Sequence, residues 1–359
     1  MTASATSTAP PPELDRASQF PKLRYMGSKA RLLPWIHETI STLGPFETAL
    51  DAFSGSGCVS YLLKSMGMNV VANDFLLFPT TIASATIENS SIRLSPKDIE
   101  TLLTSAPDRS RFVEETYSGI FFNVEDLVFM DTVWHNLRRL RHHHKKALAI
   151  TALIRSCAKR QPRGVFTIGG DLQKYMDGRR DLKLSIAEHF VEQVAVYNDV
   201  VFDNGTTSKT RRGDVLDADL SSRDLVYLDP PYVPRSDDNC YVKRYHFLEG
   251  LASHWTDEGT QPDESSKVKK MSKRFTPFSY RRTAPDAFDQ MFKQFSESTI
   301  VLSYSSNGFP DLDVLVDLMG RYKSDVDVVE RAHRYHFGTH AKVSKSRASV
   351  REYLIVGQG

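Results

Sequence analysis

Short apolar runs alternate with helical patterns along this chain. The runs have the length and composition of buried strands and lie at residues 47–51, 69–74, 225–228, 299–304, 325–331 and 351–356. Amphipathic patterns typical of helices lie at residues 30–40, 59–66 and 285–295. Because strands and helices alternate at both ends of the chain, the sequence predicts an α/β fold built on a doubly wound sheet.

The middle of the chain interrupts this alternation. Residues 80–205 carry mainly helical patterns and include a glycine-rich loop at 163–170 that mixes basic and aromatic residues. Such a mixture is typical of a surface that contacts nucleic acid. The alternative is a helical layer that only covers the sheet. We interpret the segment as an insertion that contacts nucleic acid.

A glycine turn follows the first predicted strand. Gly55 and Gly57 come shortly after Asp51 and precede a helix, and the next strand ends at Asp74. Glycines let the backbone approach a ligand, and an acidic residue at the end of the second strand can bind a ribose diol. A dinucleotide and S-adenosylmethionine both suit this pattern. Ser60 stands where a dinucleotide fingerprint has its third glycine, and Asp51 suits an ammonium group, so we predict S-adenosylmethionine.

The most distinctive stretch of the sequence is Asp229-Pro230-Pro231-Tyr232, directly after the apolar run at 225–228. Both prolines fix φ and lack an N–H, which stiffens the turn and leaves the carbonyls of Asp229 and Pro230 without local donors. A carboxylate, a carbonyl and an aromatic face together form a slot for a flat ring that carries an amine. The stretch therefore predicts a site for a nucleobase.

Composition narrows the class of protein. A hydrophobic content of 40% and a charged content of 25% are ordinary for a globular protein, and no apolar run approaches membrane-spanning length. The three cysteines, Cys58, Cys157 and Cys240, lack CxxC spacing and predict a reducing cytoplasm instead of a disulfide framework. Residues 1–20 are rich in Ser, Thr, Ala and Pro and predict a disordered tail.

Charge is more informative by position than in total. The net charge of +2 does not by itself indicate nucleic-acid binding, but basic residues cluster at 138–146, 159–163, 179–180, 209–212 and 267–274. This clustering predicts that one face of the protein meets phosphate. One cluster contains His142, His143 and His144. Consecutive residues diverge around a helix axis, and no carboxylate or thiolate accompanies the triplet, so we predict no metal site there.

Together these motifs resemble the D12-class, Dam-like adenine-specific DNA methyltransferases of the α group. The resemblance is carried by the order of the motifs and by the residues at 25–29, 51–57, 73–74, 213–215 and 229–232. Arg24 and Ser56 are mild departures from the family pattern. The resemblance implies a Rossmann-like S-adenosylmethionine-dependent methyltransferase sheet. It divides the chain into a tail at 1–20, a catalytic domain at 21–79 and 206–359, and a mainly helical target-recognition insertion at 80–205.

The resemblance also implies roles for individual residues. Asp229 and the carbonyl of Pro230 would accept from an adenine amine, and Tyr232 would stack on the adenine ring; these three are the expected catalytic residues. The expected cofactor-binding residues are Tyr25, Lys29, Asp51, Phe53, Gly55, Gly57, Asp74 and Asp214. Among them, Asp51 would lie near the cofactor's ammonium, Asp74 at its ribose and Asp214 at its adenine amine.

The implied function is site-specific N6-methylation of an adenine flipped out of duplex DNA, without a metal, as in restriction-modification systems. The expected partners are double-stranded DNA and a separately encoded restriction endonuclease, and the expected state is a cytoplasmic monomer. Two alternatives stay open. One is N4-methylation of cytosine, which needs the same chemistry at another exocyclic amine. The other is a DNA-binding protein on the same fold that has lost catalysis, against which the intact Asp229 and Tyr232 speak.

Overall fold

A computed structural model describes residues 9–162, 164–170, 178–217, 220, 223–233, 241–334 and 349–359. The strands are β1 Thr48–Asp51, β2 Asn69–Asp74, β3 Lys209–Arg212, β4 Leu225–Leu228, β5 Thr299–Ser305, β6 Asp325–Arg334 and β7 Ser349–Gln358. The α-helices are α1 Pro12–Ser18, α2 Leu33–Leu43, α3 Cys58–Ser65, α4 Leu77–Ala83, α5 Pro96–Leu103, α6 Phe112–Thr116, α7 Val124–Leu137, α8 His143–Arg160, α9 Arg180–Lys183, α10 Ile186–Asp199, α11 Tyr241–Ser253, α12 Ala284–Gln294 and α13 Leu312–Met319. Shorter helical turns lie at Lys29–Arg31, Ser84–Glu88 and Pro277–Ser279. Within these residues, no helix is both long and apolar enough to cross a bilayer.

All seven strands join one sheet in the order β3-β2-β1-β4-β5-β7-β6. From β3 to β5 neighbouring strands are parallel, whereas β7 runs antiparallel to both β5 and β6. Side chains alternate between two cores: in β4, Leu225 and Tyr227 enter one core, and Val226 and Leu228 enter the other. Helices cover both faces, which explains why β4 is an unbroken apolar run. The predicted Rossmann-like α/β sheet is confirmed.

The helices between β2 and β3 continue the core on one face of the sheet. Leu153 of α8 and Phe190 of α10 share one buried cluster with Ala49 of β1 and Val70 of β2. Helix α8 packs against α4, α10 and α11. Residues 163 and 171–177 of the predicted insertion lie outside the described residues. The rest forms a helical layer, and both its role in target recognition and the domain boundaries stay predictions.

The amino-terminal segment departs from the predicted disordered tail. Pro12 occupies the first turn of α1, where its missing N–H costs nothing, and residues 12–18 form a helix. Ala17 and Phe20 are buried, and the Phe20 ring packs 4.6 Å from that of Tyr61 in α3. The prediction is therefore wrong for residues 12–20, because their apolar side chains reach the main core. Residues 1–8 lie outside the described part of the chain.

Strand β3 was not predicted from the sequence. Its residues, Lys-Thr-Arg-Arg, show no apolar alternation, and the strand is at most partly buried. It forms the edge of the sheet and pairs in parallel with β2, from Val71 with Lys209 to Asp74 with Arg212. An edge strand has one unpaired side and little burial, so hydrophobic patterning does not reveal it. Its position matters because it brings Asp214 to the edge of the sheet where β2 ends.

Candidate active site

The carboxyl ends of the central parallel strands meet at one cavity. Asp51 ends β1, Asp74 ends β2 and Asp229 follows β4. These three strands are consecutive in the sheet, with β1 between β2 and β4. Ligands of open α/β sheets bind outside this edge. Most of the predicted site residues line this cavity: Tyr25, Lys29, Asp51, Phe53, Gly55, Asp74, Asp214 and Asp229.

Three predicted residues do not line the cavity. Gly57 has φ of +82° and precedes α3, so it shapes the turn without forming part of the cavity wall. Pro230 is buried, whereas the next residue, Pro231, lines the cavity. Tyr232 is half-buried and its ring packs 5.3 Å from the ring of Tyr304 at the end of β5. The Asp-Pro-Pro-Tyr turn thus faces the cavity through Asp229 and Pro231.

The glycine turn is held by Asp74. One carboxylate oxygen of Asp74 accepts from the N–H of Gly55 at 2.8 Å, and the other accepts from the N–H of Leu76 at 2.9 Å. Gly55 has φ of +49°, and a Cβ there would stand 3.0 Å from the Tyr25 ring. Glycine is required for both reasons. Burial raises the pKa of Asp74 to about 6, although these two N–H groups oppose the rise.

Asp51 is a buried carboxylate with one oxygen left over. Its side chain is 1% exposed, and Ser60 donates to Oδ2 at 2.6 Å. Its Oδ1 has no hydrogen-bond partner among the described residues. Burial raises the pKa of Asp51 to about 7, and the nearby Asp229 and Asp74 add to the rise. A buried acceptor without a donor is costly, so Oδ1 is suited to a cation that enters the cavity.

Asp229 forms an ion pair that the sequence analysis did not foresee. The ammonium of Lys29 lies 2.8 Å from both carboxylate oxygens of Asp229 and donates to the carbonyl of Gly27 at 3.0 Å. The Lys29 side chain is 5% exposed and that of Asp229 is 21% exposed. Burial raises the pKa of Asp229 above its ordinary value, and the Lys29 ammonium opposes that rise. Lys29 therefore both lines the cavity and neutralises the charge of the Asp229 carboxylate.

Helix α11 supplies two supporting residues that sequence reasoning did not assign. The ring of Tyr245 stacks on that of Tyr25 at 5.0 Å and 6°, and its hydroxyl accepts from the N–H of Met26 at 2.7 Å. Glu249, fully buried, accepts from the N–H groups of Leu77 and Phe78 at the start of α4 and pairs with Arg274 at 3.2 Å. The available signal in the sequence was an acidic residue, Glu249, among the apolar residues Phe247, Leu248 and Leu251.

His246 is structural. Its ring is buried, and Nε2 lies 2.8 Å from the carbonyl of Phe166 in the helical layer. Burial lowers the pKa of His246 to about 4, so the ring is neutral at physiological pH. This agrees with its position in the core and not on the cavity wall.

Four cations of the basic clusters pair with carboxylates of the helical layer or of the loops around it. The pairs are Lys145–Asp98 at 2.7 Å, Lys159–Asp181 at 3.0 Å, Arg160–Asp126 at 3.2 Å and Arg211–Asp217 at 3.0 Å. These cations are already neutralised. These four pairs do not test the other cations of the clusters, so one phosphate-facing surface stays a prediction, and Arg163 lies outside the described residues.

The histidine triplet is arranged differently from the sequence-based expectation. His142 caps α8 from outside the helix, and the ligand atoms of His142, His143 and His144 lie within 4.8 Å of one another. His144 Nε2 lies 3.7 Å from a carboxylate oxygen of Glu88. Both reasons given against a metal, diverging rings and no carboxylate, are therefore wrong. The absence of a metal stays a prediction, and the triplet does not line the cavity.

A parallel sheet with a glycine turn, strand-end carboxylates and an Asp-Pro-Pro-Tyr turn at one cavity defines a Rossmann-like methyltransferase. The model of the family described as D12 class N6 adenine-specific DNA methyltransferase matches residues 25–304. The chain belongs to this family and is a DNA adenine methyltransferase. This confirms the prediction of a DNA adenine methyltransferase.

Curated relatives are modification enzymes. The chain is 29% identical over 330 residues to the type II methyltransferase M2.HphI of Haemophilus parahaemolyticus, covering 88% of this chain and 93% of that protein. It is 24% identical to the modification methylase LlaI of Lactococcus lactis subsp. lactis, where it covers 93% of this chain but 54% of the relative. A solved rRNA methyltransferase, AviRa of Streptomyces viridochromogenes, aligns over 96% of this chain and 92% of its own at 14% identity with a TM-score of 0.29, a value too low to indicate a common fold.

Proposed function

We propose that this enzyme transfers a methyl group from S-adenosylmethionine to N6 of an adenine extruded from duplex DNA. The single observation that carries the proposal is the shared cavity, which is lined both by Asp51, whose Oδ1 has no hydrogen-bond partner among the described residues, and by Asp229, whose carboxylate is bound by Lys29. One carboxylate suits a cationic cofactor and the other suits an amine substrate. A base within a duplex cannot reach such a cavity, so the target must be flipped.

The residues on the β1–β2 side fit S-adenosylmethionine. Asp51 Oδ1 is a free acceptor for its ammonium, and Gly55, without a side chain, lets the Tyr25 ring close on the turn as part of the same cavity wall. Asp74 still has acceptor capacity for a ribose hydroxyl, because each of its oxygens takes one N–H. Asp214 lines the cavity and accepts from Leu216 N–H, so its second oxygen can accept from an adenine amine. When bound, the cofactor supplies an electrophilic methyl group on a sulfonium.

The chemistry on the β4 side follows from the nature of the adenine amine. Its lone pair is delocalised into the ring, and attack on the methyl requires the nitrogen to become tetrahedral and positively charged. Acceptors on its two hydrogens favour that charge development, and Asp229 with the carbonyl of Pro230 provides them. Asp229, or a water bound to it, then takes the released proton. Tyr232 holds the ring in line with the methyl group, an effect of orientation.

The relatives suggest the biological setting. Because M2.HphI and LlaI are named as a type II methyltransferase and a modification methylase, we infer that this enzyme protects DNA against a separately encoded restriction endonuclease. We further propose that it acts as a monomer.

One assay tests the proposed reaction. Protein, methyl-labelled S-adenosylmethionine and plasmid DNA are incubated, and the DNA is digested to nucleosides. We expect label in N6-methyladenine, and sequencing of the product to give a discrete methylated motif. Label in N4-methylcytosine, or DNA binding without transfer, would contradict the proposal.

We expect cofactor affinity to fall as pH falls, through Asp51. The pKa of Asp51 in the free protein is about 7, and an ammonium group binds the ionised carboxylate. Protonation therefore competes with binding below pH 7, so the Kd of S-adenosylmethionine should rise by up to about tenfold per pH unit between pH ~7 and ~6. Titration calorimetry from pH ~8 to ~5.5 measures this. Asp51→Asn should bind weakly at every pH with a flatter profile, and a wild-type Kd independent of pH would exclude this role for Asp51.

A further inference from the structure

Two exposed aromatic rings stand at the mouth of the cavity. Phe275 is 61% exposed, the highest value among large hydrophobic side chains of the described residues, and Tyr280 is 42% exposed. Their rings stack, with centroids 5.3 Å apart and planes at 18°. Tyr280 lines the cavity, whereas Phe275 does not. We call these two residues the rim pair. Two stacked rings that are exposed beside a binding cavity present flat apolar faces to a ligand at its opening.

The rim pair sits on a loop that is anchored in the core. Phe278, between the two, is 1% exposed and packs edge-on against Phe53 of the cavity floor, at 5.6 Å and 89°. Thr283 donates to the carbonyl of Pro277 at 2.7 Å, closing the loop at the start of α12. Arg274, beside Phe275, is held by the buried Glu249. The exposure of the rings is therefore built into an ordered loop.

Basic side chains flank the rim pair and connect it to the catalytic turn. Lys273, Arg281 and Arg282 are exposed. The Arg281 guanidinium lies over the Phe309 ring at 4.6 Å, and the N–H of Phe309 donates to the carbonyl of Val233, the residue after Tyr232. Stacked rings among exposed cations match the chemistry of a nucleic-acid strand, which presents flat bases on a phosphate backbone.

We propose that the rim pair stacks on a DNA base outside the catalytic slot, beside the flipped adenine, while Lys273, Arg281 and Arg282 contact the adjoining phosphates. This rests on the proposed function, because only an extruded adenine leaves neighbouring bases with an open face. Tyr232 belongs to the turn that carries Asp229 and packs on Tyr304, and the proposed function assigns it to the target ring. Tyr280 lies at the opening, so the base that it meets is a different one. Stacking on such a base holds the flipped state open.

The test compares ring-removing with ring-retaining variants. The former are Phe275→Ala and Tyr280→Ala, and the latter are Phe275→Tyr and Tyr280→Phe. Val314→Ala, at a 42% exposed position on α13 and outside the predicted target-recognition insertion, is the control. The probes are a fluorescent duplex carrying the methylated motif found by sequencing, and the same duplex with an abasic site opposite the target adenine. Anisotropy gives the Kd for DNA, rapid quench gives the single-turnover methylation rate, and calorimetry gives the Kd for S-adenosylmethionine.

We expect the alanine variants to lose about five- to 100-fold in the ratio of methylation rate to duplex Kd, the range that removal of one stacked base gives. The loss should shrink on the abasic duplex, where the target adenine is already unpaired. Ring-retaining variants should stay near wild type, with cofactor Kd unchanged in all of them. Alanine variants that match Val314→Ala on DNA overturn the proposal, as does an equal loss on both duplexes or a parallel loss of cofactor affinity. Wild-type protein that methylates no adenine contradicts the proposed function, and the Kd values of the same variants for the plasmid DNA of the first assay then still test the rim pair.

Discussion

Asp229→Asn should lower the single-turnover methylation rate by about 10²- to 10⁴-fold, the range expected for loss of a proton acceptor at the reacting atom. The amide has the shape of the carboxylate but presents a donor to the adenine amine and cannot take its proton. Cofactor affinity should stay within about threefold of wild type, because Asp229 raises the pKa of Asp51 and its removal favours the ionised form of Asp51. Rapid-quench methylation and calorimetry with S-adenosylmethionine measure the two effects.

Asp108→Asn is a matched control for Asp229→Asn, since Asp108 is 74% exposed and lies outside the cavity lining. It should methylate at the wild-type rate. Circular dichroism of both variants must be that of the wild type, because the substitution at Asp229 leaves Lys29 buried without its carboxylate. An Asp229→Asn enzyme that retains more than about a tenth of the wild-type rate would remove Asp229 from the chemistry.

The positions of the strand-end residues were predictable because the carboxyl ends of parallel strands lie at the same edge of the sheet. An apolar run that ends in Asp51, Asp74 or Asp229 places its carboxylate at the same edge of the sheet once the strands are known to be parallel. Local signals therefore placed these three carboxylates on the cavity wall. The same reasoning did not find β3, whose polar edge residues lack a period, nor α1, whose polar composition concealed Ala17 and Phe20.

Contacts between distant parts of the chain were not predictable. Lys29 and Asp229 are separated by 200 positions, and no pattern near either residue records the other. The same holds for Tyr245 on Tyr25 and for Glu249 at the start of α4. For Asp74 the sequence predicted a role in binding the ribose but not its hydrogen bond to the N–H of Gly55. The position of a residue along its strand predicts where it lies in the site. The residues that it contacts depend on how the helices pack on the sheet, which the local sequence does not record.

Lys29→Met should move the acid limb of the pH–rate profile to higher pH by about one to two units, the usual effect of one close opposite charge on a carboxyl. Methionine keeps the length of the side chain but removes the ammonium from both oxygens of Asp229. Burial then raises the pKa of Asp229 without opposition. Because the ionised carboxylate is the acceptor, a smaller fraction of the enzyme is competent below the new pKa. The rate at a pH on this limb should fall by about 10- to 100-fold and recover as pH rises.

Two further variants separate this charge effect from loss of structure. Lys29→Arg retains a cation and should hold the acid limb close to its wild-type position, although the planar guanidinium fits the space less well. Lys145→Met removes a similar lysine from Asp98, at 2.7 Å and away from the cavity, and should leave both rate and profile unchanged. Single-turnover rates across the pH range, at saturating cofactor, give the profiles. A Lys29→Met enzyme that is slower at every pH with an unmoved acid limb would mean that Lys29 only supports the cavity wall and does not control the ionisation of Asp229.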